Sequence, residues 1–263
     1  MTYVDKLIQN LKDEYEIDFT GYNRNFLRRR ISSRMNRTDT ATPNAYERLL
    51  TENPQELSEL LQNLTINVSE FMRNPDVFSY LENSIIPKIV VTNERPLRFW
   101  TAGCSKGEEP YSLAIILKRS GLLNRRSTTI IATDIDRFAL NIAKEGAYSS
   151  PSLKNLSNAD INLYFRKTNN DKYKIADEIK KIVFFKKHDV VSGPDLGKFD
   201  MIFCRNVSIY FTKALQDKMY ERFCNELYSG GYLVTGKTEM PPTRMSDRFE
   251  VVDPDTRIYQ KVA

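Results

Sequence analysis

Along residues 1 to about 75, apolar positions recur at intervals of three and four. Val4, Leu7, Ile8 and Leu11 form one such stripe in "YVDKLIQNLKDEY", and Leu27, Ile31 and Met35 form another in "NRNFLRRRISSRMNR". That spacing puts each set on one face of an α-helix. "NAYERLL" and "PQELSELLQNLTI" continue the pattern, split at Asn53-Pro54. Near residue 97 the pattern changes. "LRFWTAG", "TTIIATDID", "KKIVFFKKHDVV" and "KFDMIFCRN" are short apolar runs ending in polar or small residues. Helix-like segments separate them: "EEPYSLAIILKRSG", "DRFALNIAKEGAY" and "TKALQDKMYERFCNEL". This β-α-β-α alternation predicts a parallel, doubly wound sheet.

"SGGYLVTGK" adds a strand after a Gly-Gly turn, and "FEVVDPDTRIYQKVA" predicts two antiparallel strands at the sheet edge. Residues 149–180 carry little periodicity and a turn signal at Asn169-Asn170-Asp171, so they predict a small β insertion with a hairpin. The expected organisation is an α/β chain with a helical domain over 1–75, a linker over 76–96 and an α/β domain over 97–263.

Composition narrows the function. The chain has 263 residues, 41% hydrophobic and 28% charged, an ordinary globular balance. No apolar run is long enough for a bilayer and the charged N-terminus does not read as a signal peptide, so direct membrane insertion is not expected. Three cysteines without metal-like spacing suit a reducing, cytoplasmic setting, and no metal is expected. The two glycosylation sequons, at Asn67 and Asn206, would go unused there. The single histidine, His188, excludes a Ser-His-Asp mechanism unless it is itself the base, and it reads as structural.

The stretch "WTAGCSKGEEPYSLA" carries the chemistry. A glycine turn between strand and helix usually cradles phosphate, yet Glu108 and Glu109 stand where an anion would be repelled. In an open α/β sheet, ligands bind at the carboxyl ends of the strands. Those ends carry Ala102-Gly103, Asp134, Asp189 and Arg205-Asn206. A carboxylate at Asp134 suits ribose hydroxyls. No phosphate-binding G-K-[ST] motif is present. A nucleoside with a cationic end fits best, and S-adenosylmethionine has that form. The bland alternative is that both glutamates merely favour the helix N-terminus, worth about 0.3–1 kcal/mol each when exposed.

"NVSEFMRNPDVF", "WTAGCSKGEEPYSLA", "ATDID" and "FCRNVSIYF", in this order, resemble the chemotaxis receptor methyltransferases of the CheR type. The likeness runs from "FLRRRISSRM" to "GGYLVTGKTE". It implies a class I methyltransferase fold with an added helical domain. It also implies methyl transfer from S-adenosylmethionine to glutamates of the chemoreceptor cytoplasmic helical bundle, leaving S-adenosylhomocysteine. Mapped onto this sequence, the resemblance implies cofactor contacts from Asn67, Ser69, Arg73, Ala102, Gly103, Glu108, Glu109, Asp134, Asp189, Val190, Arg205 and Asn206. It implies catalytic roles for Arg73 and Tyr210. Departures are Ser69 for the usual Thr, Met72 for Phe, Asn74 for Asp, and "TGKTE" for "GHSE". The 149–180 segment matches a small β-subdomain that in some members docks a receptor tether; its turn here is short.

The chemistry agrees with a chain poor in histidine. A glutamate acceptor, with an ordinary pKa near 4.3, is already ionised at neutral pH and needs no base. Packing competes as a reading of Tyr210, and helix capping of Arg73. Arg24, Arg28, Arg29, Arg30, Arg34 and Arg37 crowd one segment, and Arg30, Arg34 and Arg37 share a helical face beside the apolar stripe. The density of one sign predicts an acidic partner, the receptor bundle, with little part in cofactor binding. Without interleaved aromatics, nucleic acid is not expected, and a monomer is. The alternatives are a nucleic-acid methyltransferase and a silent adaptor on the same fold.

Overall fold

The computed structural model describes residues 2–15, 17–65, 69–92, 95–124 and 126–262. Four helices come first: α1 (Tyr3–Tyr15), α2 (Arg24–Arg37), α3 (Pro43–Glu52) and α4 (Pro54–Thr65). Their starts are set locally. The Asn23 side chain accepts from the amides of Asn25 and Phe26 at 3.0 and 3.3 Å, and Asn53 accepts from Gln55 and Glu56 at 3.0 and 3.2 Å. Such caps satisfy amides that a helix start leaves unbonded. The stripes Val4, Leu7, Ile8, Leu11 and Leu27, Ile31 meet Leu60 and Leu64 in one core, with Met35 at its margin. Helices α5 (Pro75–Tyr80) and α6 (Ile86–Thr92), joined by a π-helical turn over Leu81–Ile85, lead to the first strand.

The second half alternates as expected. Its strands are β1 (Leu97–Ala102), β2 (Thr128–Asp134), β3 (Ala147–Ser149), β4 (Phe165–Lys167), β5 (Lys172–Ile175), β6 (Val183–Lys187), β7 (Phe199–Cys204), β8 (Leu227–Thr235), β9 (Phe249–Asp253) and β10 (Ile258–Lys261). The helices are α7 (Glu108–Arg119), α8 (Arg137–Glu145), α9 (Asn158–Tyr164), α10 (Asp177–Lys180) and α11 (Lys213–Glu226). Seven strands form one sheet in the order β6-β2-β1-β7-β8-β10-β9. It is parallel from β6 to β8, and β10 and β9 close the edge antiparallel, as the terminal Pro-Asp turn predicts. Both faces of β1 are covered. Phe99 packs with Met201 and Phe203 on one side, Trp100 with Ile202 and Phe223 on the other. Double burial explains why these strands read as continuous apolar runs. The small sheet, order β3-β5-β4, contains the expected hairpin, β4 against β5.

Strand order fixes where a ligand fits. From β1 the chain steps to β2 and β6 on one side, then returns to β7 and β8 on the other. The crevice beside the carboxyl ends of β1, β2 and β7 is the switch point at which such sheets bind ligands.

Candidate functional site

A cavity of about 530 Å³ opens at that crevice, a size suited to a small-molecule ligand. Gly103 lines the cavity, and Gly107 turns the loop behind it. Gly103 has φ 75°, and a Cβ there would meet Val207 Cγ2 at 2.4 Å; Gly107 has φ 92°, with Ala143 Cβ 2.8 Å from the same imagined atom. A side chain at either position is strained as well as crowded. The Asp134 carboxylate sits across from this loop, accepting from the Ser105 amide at 2.8 Å and the Asp136 amide at 2.9 Å. Burial pushes its pKa up to about 6, against the pull of those two amides.

The opposite wall is cationic. Arg205 leaves the end of β7 and donates to Glu109 at 3.2 Å and to Asn74 Oδ1 at 2.6 Å. Burial raises the Glu109 pKa, and Arg205 and Arg73 pull it back. Arg73 also faces Tyr210, whose phenol pKa is raised by burial and lowered by Arg30 and Arg73. The Phe26 ring lies 4.7 Å from that of Tyr210, and the Arg30 guanidinium 5.6 Å from Phe26. His188 lines the cavity as well, with Nε2 2.8 Å from the Pro194 carbonyl and its ring edge-on to Trp100 at 5.7 Å. Burial lowers its pKa, so it is neutral near pH 7.

The cavity therefore gathers Ser69, Arg73, Gly103, Glu109, Asp134, Asp189, Val190, Arg205, Asn206 and Tyr210. Other expected residues stand elsewhere. Asn67 lies outside the described residues. Ala102 is fully buried in the core beneath the loop and does not line the cavity. Glu108, 2% exposed, also stays off the wall: it is turned into the protein, held by the Ser69 hydroxyl, and burial raises its pKa. Of the two loop glutamates, only Glu109 faces the ligand space.

The arginine stripe is corrected too. Arg34 points inward from α2. Its Nε donates to Glu56 at 3.0 Å and its Nη2 to Glu56 and, at 2.5 Å, to Glu59, while the Tyr46 hydroxyl donates to Glu56 at 2.7 Å. Its helical position faces α4, where those glutamates wait, so it is 6% exposed and unavailable to a partner. Arg28, Arg29 and Arg37 are exposed, and Arg30 is half-buried beside the cavity mouth.

The wall fits S-adenosylmethionine. Ser105 Oγ and Arg205 Nε line it buried and without a protein partner, as atoms awaiting a polar ligand do. Asp134 and Asp189 suit ribose and amino donors, Arg73 and Arg205 a carboxylate. The sequence profile described as "CheR methyltransferase, SAM binding domain" matches residues 67–258, and "CheR methyltransferase, all-alpha domain" matches residues 4–65. The chain belongs to the CheR methyltransferase family. It is 35% identical to a chemotaxis protein methyltransferase of Listeria innocua over 87% of this chain and 86% of that one. It is 36% identical to a chemotaxis protein methyltransferase of Borreliella burgdorferi over 78% of this chain and 74% of the relative. The fold and the methyl-donor cofactor expected from the sequence hold: this CheR-family enzyme is an S-adenosylmethionine-dependent methyltransferase.

Sequence reasoning missed one residue that builds the site of this CheR-family chain. Glu239, 3% exposed, accepts at Oε1 from the amides of Val207 and Ser208 at 3.0 and 2.7 Å and from the Ser208 hydroxyl at 2.7 Å. At Oε2 it accepts from the amides of Asn206 at 2.5 Å and Gly236 at 2.9 Å. One carboxylate thus folds the turn that carries Arg205, Asn206 and Tyr210, and holds Asn206 at φ 60°. The only signal was the acidic end of "TGKTE". Nothing local couples it to a turn some thirty residues earlier.

Proposed function

We propose that this enzyme methylates glutamate side chains of chemoreceptors, leaving glutamyl methyl esters. The observation that carries this reading is the Tyr210 corner of the cavity, where Arg73 lines the same wall and Arg30 lies over the Phe26 ring that packs against Tyr210. Cationic groups there suit an incoming carboxylate, and a carboxylate acceptor needs no base. When bound, S-adenosylmethionine supplies an electrophilic methyl group. Asp134 holds the ribose, Asp189 and Val190 the adenine side, and Arg73 the methionine carboxylate. Arg205 opposes the burial that raises the Glu109 pKa, beside the cationic end. Tyr210 and Arg30 orient the acceptor, and orientation of reactants lowers a barrier by roughly 7–11 kcal/mol.

In this reading residues 1–75 form the receptor-recognition domain and 97–263 the catalytic domain, joined by 76–96. The partner is the receptor's cytoplasmic helical bundle, met by Arg28, Arg29, Arg30 and Arg37. The enzyme works in the cytoplasm as a monomer; among the described residues no helix is long and apolar enough to cross a membrane. No observation favours the adaptor or the nucleic-acid alternative. Incubation with methyl-labelled cofactor and receptor cytoplasmic fragments tests the proposal. Base-labile label on the receptor is expected; label that resists base, or none, rejects it.

A further inference from the structure

The small sheet meets the site from behind, through Tyr148 of β3. Tyr148 is buried and does not line the cavity. Its hydroxyl donates to the Lys106 carbonyl at 2.8 Å, inside the turn that joins β1 to α7. The same oxygen lies 3.0 Å from where a Cβ on Gly107 would stand. The Tyr148 ring meets Phe71 edge-on at 4.9 Å, and Phe165 of β4 closes on Phe71 from 5.2 Å. The turn after β3 grips the backbone there as well. The Phe71 amide donates to the Ser152 carbonyl at 3.0 Å, and the Phe71 carbonyl accepts from Asn155 Nδ2 at 3.2 Å. Phe71 stands two residues before Arg73.

Both pieces that Tyr148 touches carry left-handed backbone. Ser105 has φ 49° between Gly103 and Gly107, and Arg73 stands between Met72 at φ 49° and Asn74 at φ 60°. Residues with side chains keep that conformation only where their surroundings impose it. In the loop, the Thr133 carbonyl accepts from the Gly103 and Cys104 amides at 2.8 and 2.9 Å, and the Tyr148 hydroxyl fixes the far end at Lys106. In the Arg73 segment, Ser112 Oγ accepts from the Met72 amide at 2.9 Å, while the small sheet holds Phe71. Gly103, Ser105 and Arg73 line the cavity, so both braced pieces reach the ligand space.

We propose that Tyr148 is a positioning residue for the cofactor site: its hydroxyl sets the loop 103–107, and its ring sets the segment that carries Arg73. The small sheet thus braces the site without touching the ligand. Without the hydroxyl, the Lys106 carbonyl loses the donor that fixes the far end of the loop, and Ser105 leaves the left-handed region more often. The braced form binds cofactor more tightly. By reciprocity, bound cofactor holds the brace closed by the same factor. A tyrosine that only filled the core would pass nothing to the ligand, because packing of the ring does not require the hydroxyl.

The inference rests on the cofactor assignment, and its test keeps the two apart. Titration calorimetry with S-adenosylhomocysteine is run on the full chain and on Tyr148→Phe, with urea denaturation of both. The Phe variant keeps the ring against Phe71 and loses one hydrogen bond, so affinity should fall about fivefold. Hydrogen exchange without ligand should quicken at 104–107 in the variant and stay unchanged in α11. In the wild-type chain, bound product should slow exchange at 103–107 and also at 148–155, none of which lines the cavity. Wild-type affinity in Tyr148→Phe, whatever its urea stability, marks a purely structural tyrosine and overturns the proposal. So does a loss of affinity with loop exchange unchanged. Slowing confined to cavity-lining segments also overturns it, and decides the matter if Tyr148→Phe does not fold. Failure of the wild-type chain to bind S-adenosylhomocysteine overturns the cofactor assignment itself and this proposal with it.

Discussion

Two arginines are buried against carboxylates, one in each half of the chain, and they do different work. Arg34 binds Glu56 through two nitrogens and reaches Glu59, while Tyr46 caps the same Glu56. No buried polar atom of Arg34 is left without a partner among the described residues. Arg205 is buried as deeply, with 1% of its side chain exposed, but meets Glu109 through one nitrogen and leaves Nε unpartnered beside a cavity. A closed ion pair spends its hydrogen-bonding capacity on the fold. An open one keeps capacity for a ligand, at a cost in stability. Charge and burial alone do not separate the two cases; the count of satisfied atoms does.

The comparison is broken most directly at Arg34. Arg34→Ala leaves Glu56 buried and unpaired, and a stability loss of about 3–5 kcal/mol is expected, read by urea denaturation. Affinity for S-adenosylhomocysteine in the folded fraction should stay at the wild-type value. A double change of Arg34→Met and Glu56→Leu should recover most of the loss, since apolar residues of similar volume replace such pairs without large cost. If Arg34→Ala weakens cofactor binding as much as it weakens the fold, the distinction between the two arginines fails.

Arg205→Ala should show the reverse balance. Loss of a charged wall group and of its hold on Glu109 is expected to weaken S-adenosylhomocysteine binding by about a hundredfold, near 2.7 kcal/mol. Calorimetry reads this against a circular dichroism check of the fold. Lysine should not rescue it, because a point charge does not reproduce the fork that reaches both Glu109 and Asn74.

A third test uses pH. Asp134, with its pKa near 6, loses its negative charge as pH falls through that value. Ribose hydroxyls donate to the ionised form, so the complex holds a lower pKa than the free enzyme. Affinity is then level above pH 6 and falls by up to about tenfold per unit below it. Asp134→Asn should bind more weakly at pH 8 and abolish the slope. A slope that survives the substitution assigns the titration to another group.

The smallest effect belongs to the arginines left facing solvent. Changing Arg29 and Arg37, both exposed, together to Ala should slow receptor methylation about threefold at low salt and leave cofactor affinity within twofold, because exposed charges steer encounter more than they bind. The difference should vanish at high salt, as screening over about 8 Å at physiological strength removes it. Equal rates for variant and wild type at every salt concentration would leave these arginines as surface charge.

The sequence by itself determined the division into a helical half and an alternating α/β half, because apolar period is a local property: three and four in α1 and α2, continuous runs in doubly covered strands. It also determined the chemistry at strand ends, where Asp134 closes its strand, Gly103 and Arg205 directly follow theirs, and the fold class says where those ends lead. Only the tertiary structure decided which charged side chains face one another. Glu108 and Glu109 are adjacent in the chain, yet 100° around a helix sends one to the interior and the other to the cavity. Arg34 and Arg37 both follow the arginine pattern, but only the placement of α4 supplies Glu56 to turn one of them inward. Glu239 and Tyr148 reach the turns of the site from distant segments, and no local pattern marks a residue whose partners are brought by the fold. Their roles come from satisfying buried polar groups and filling space, conditions that exist only once the strands and helices have packed together.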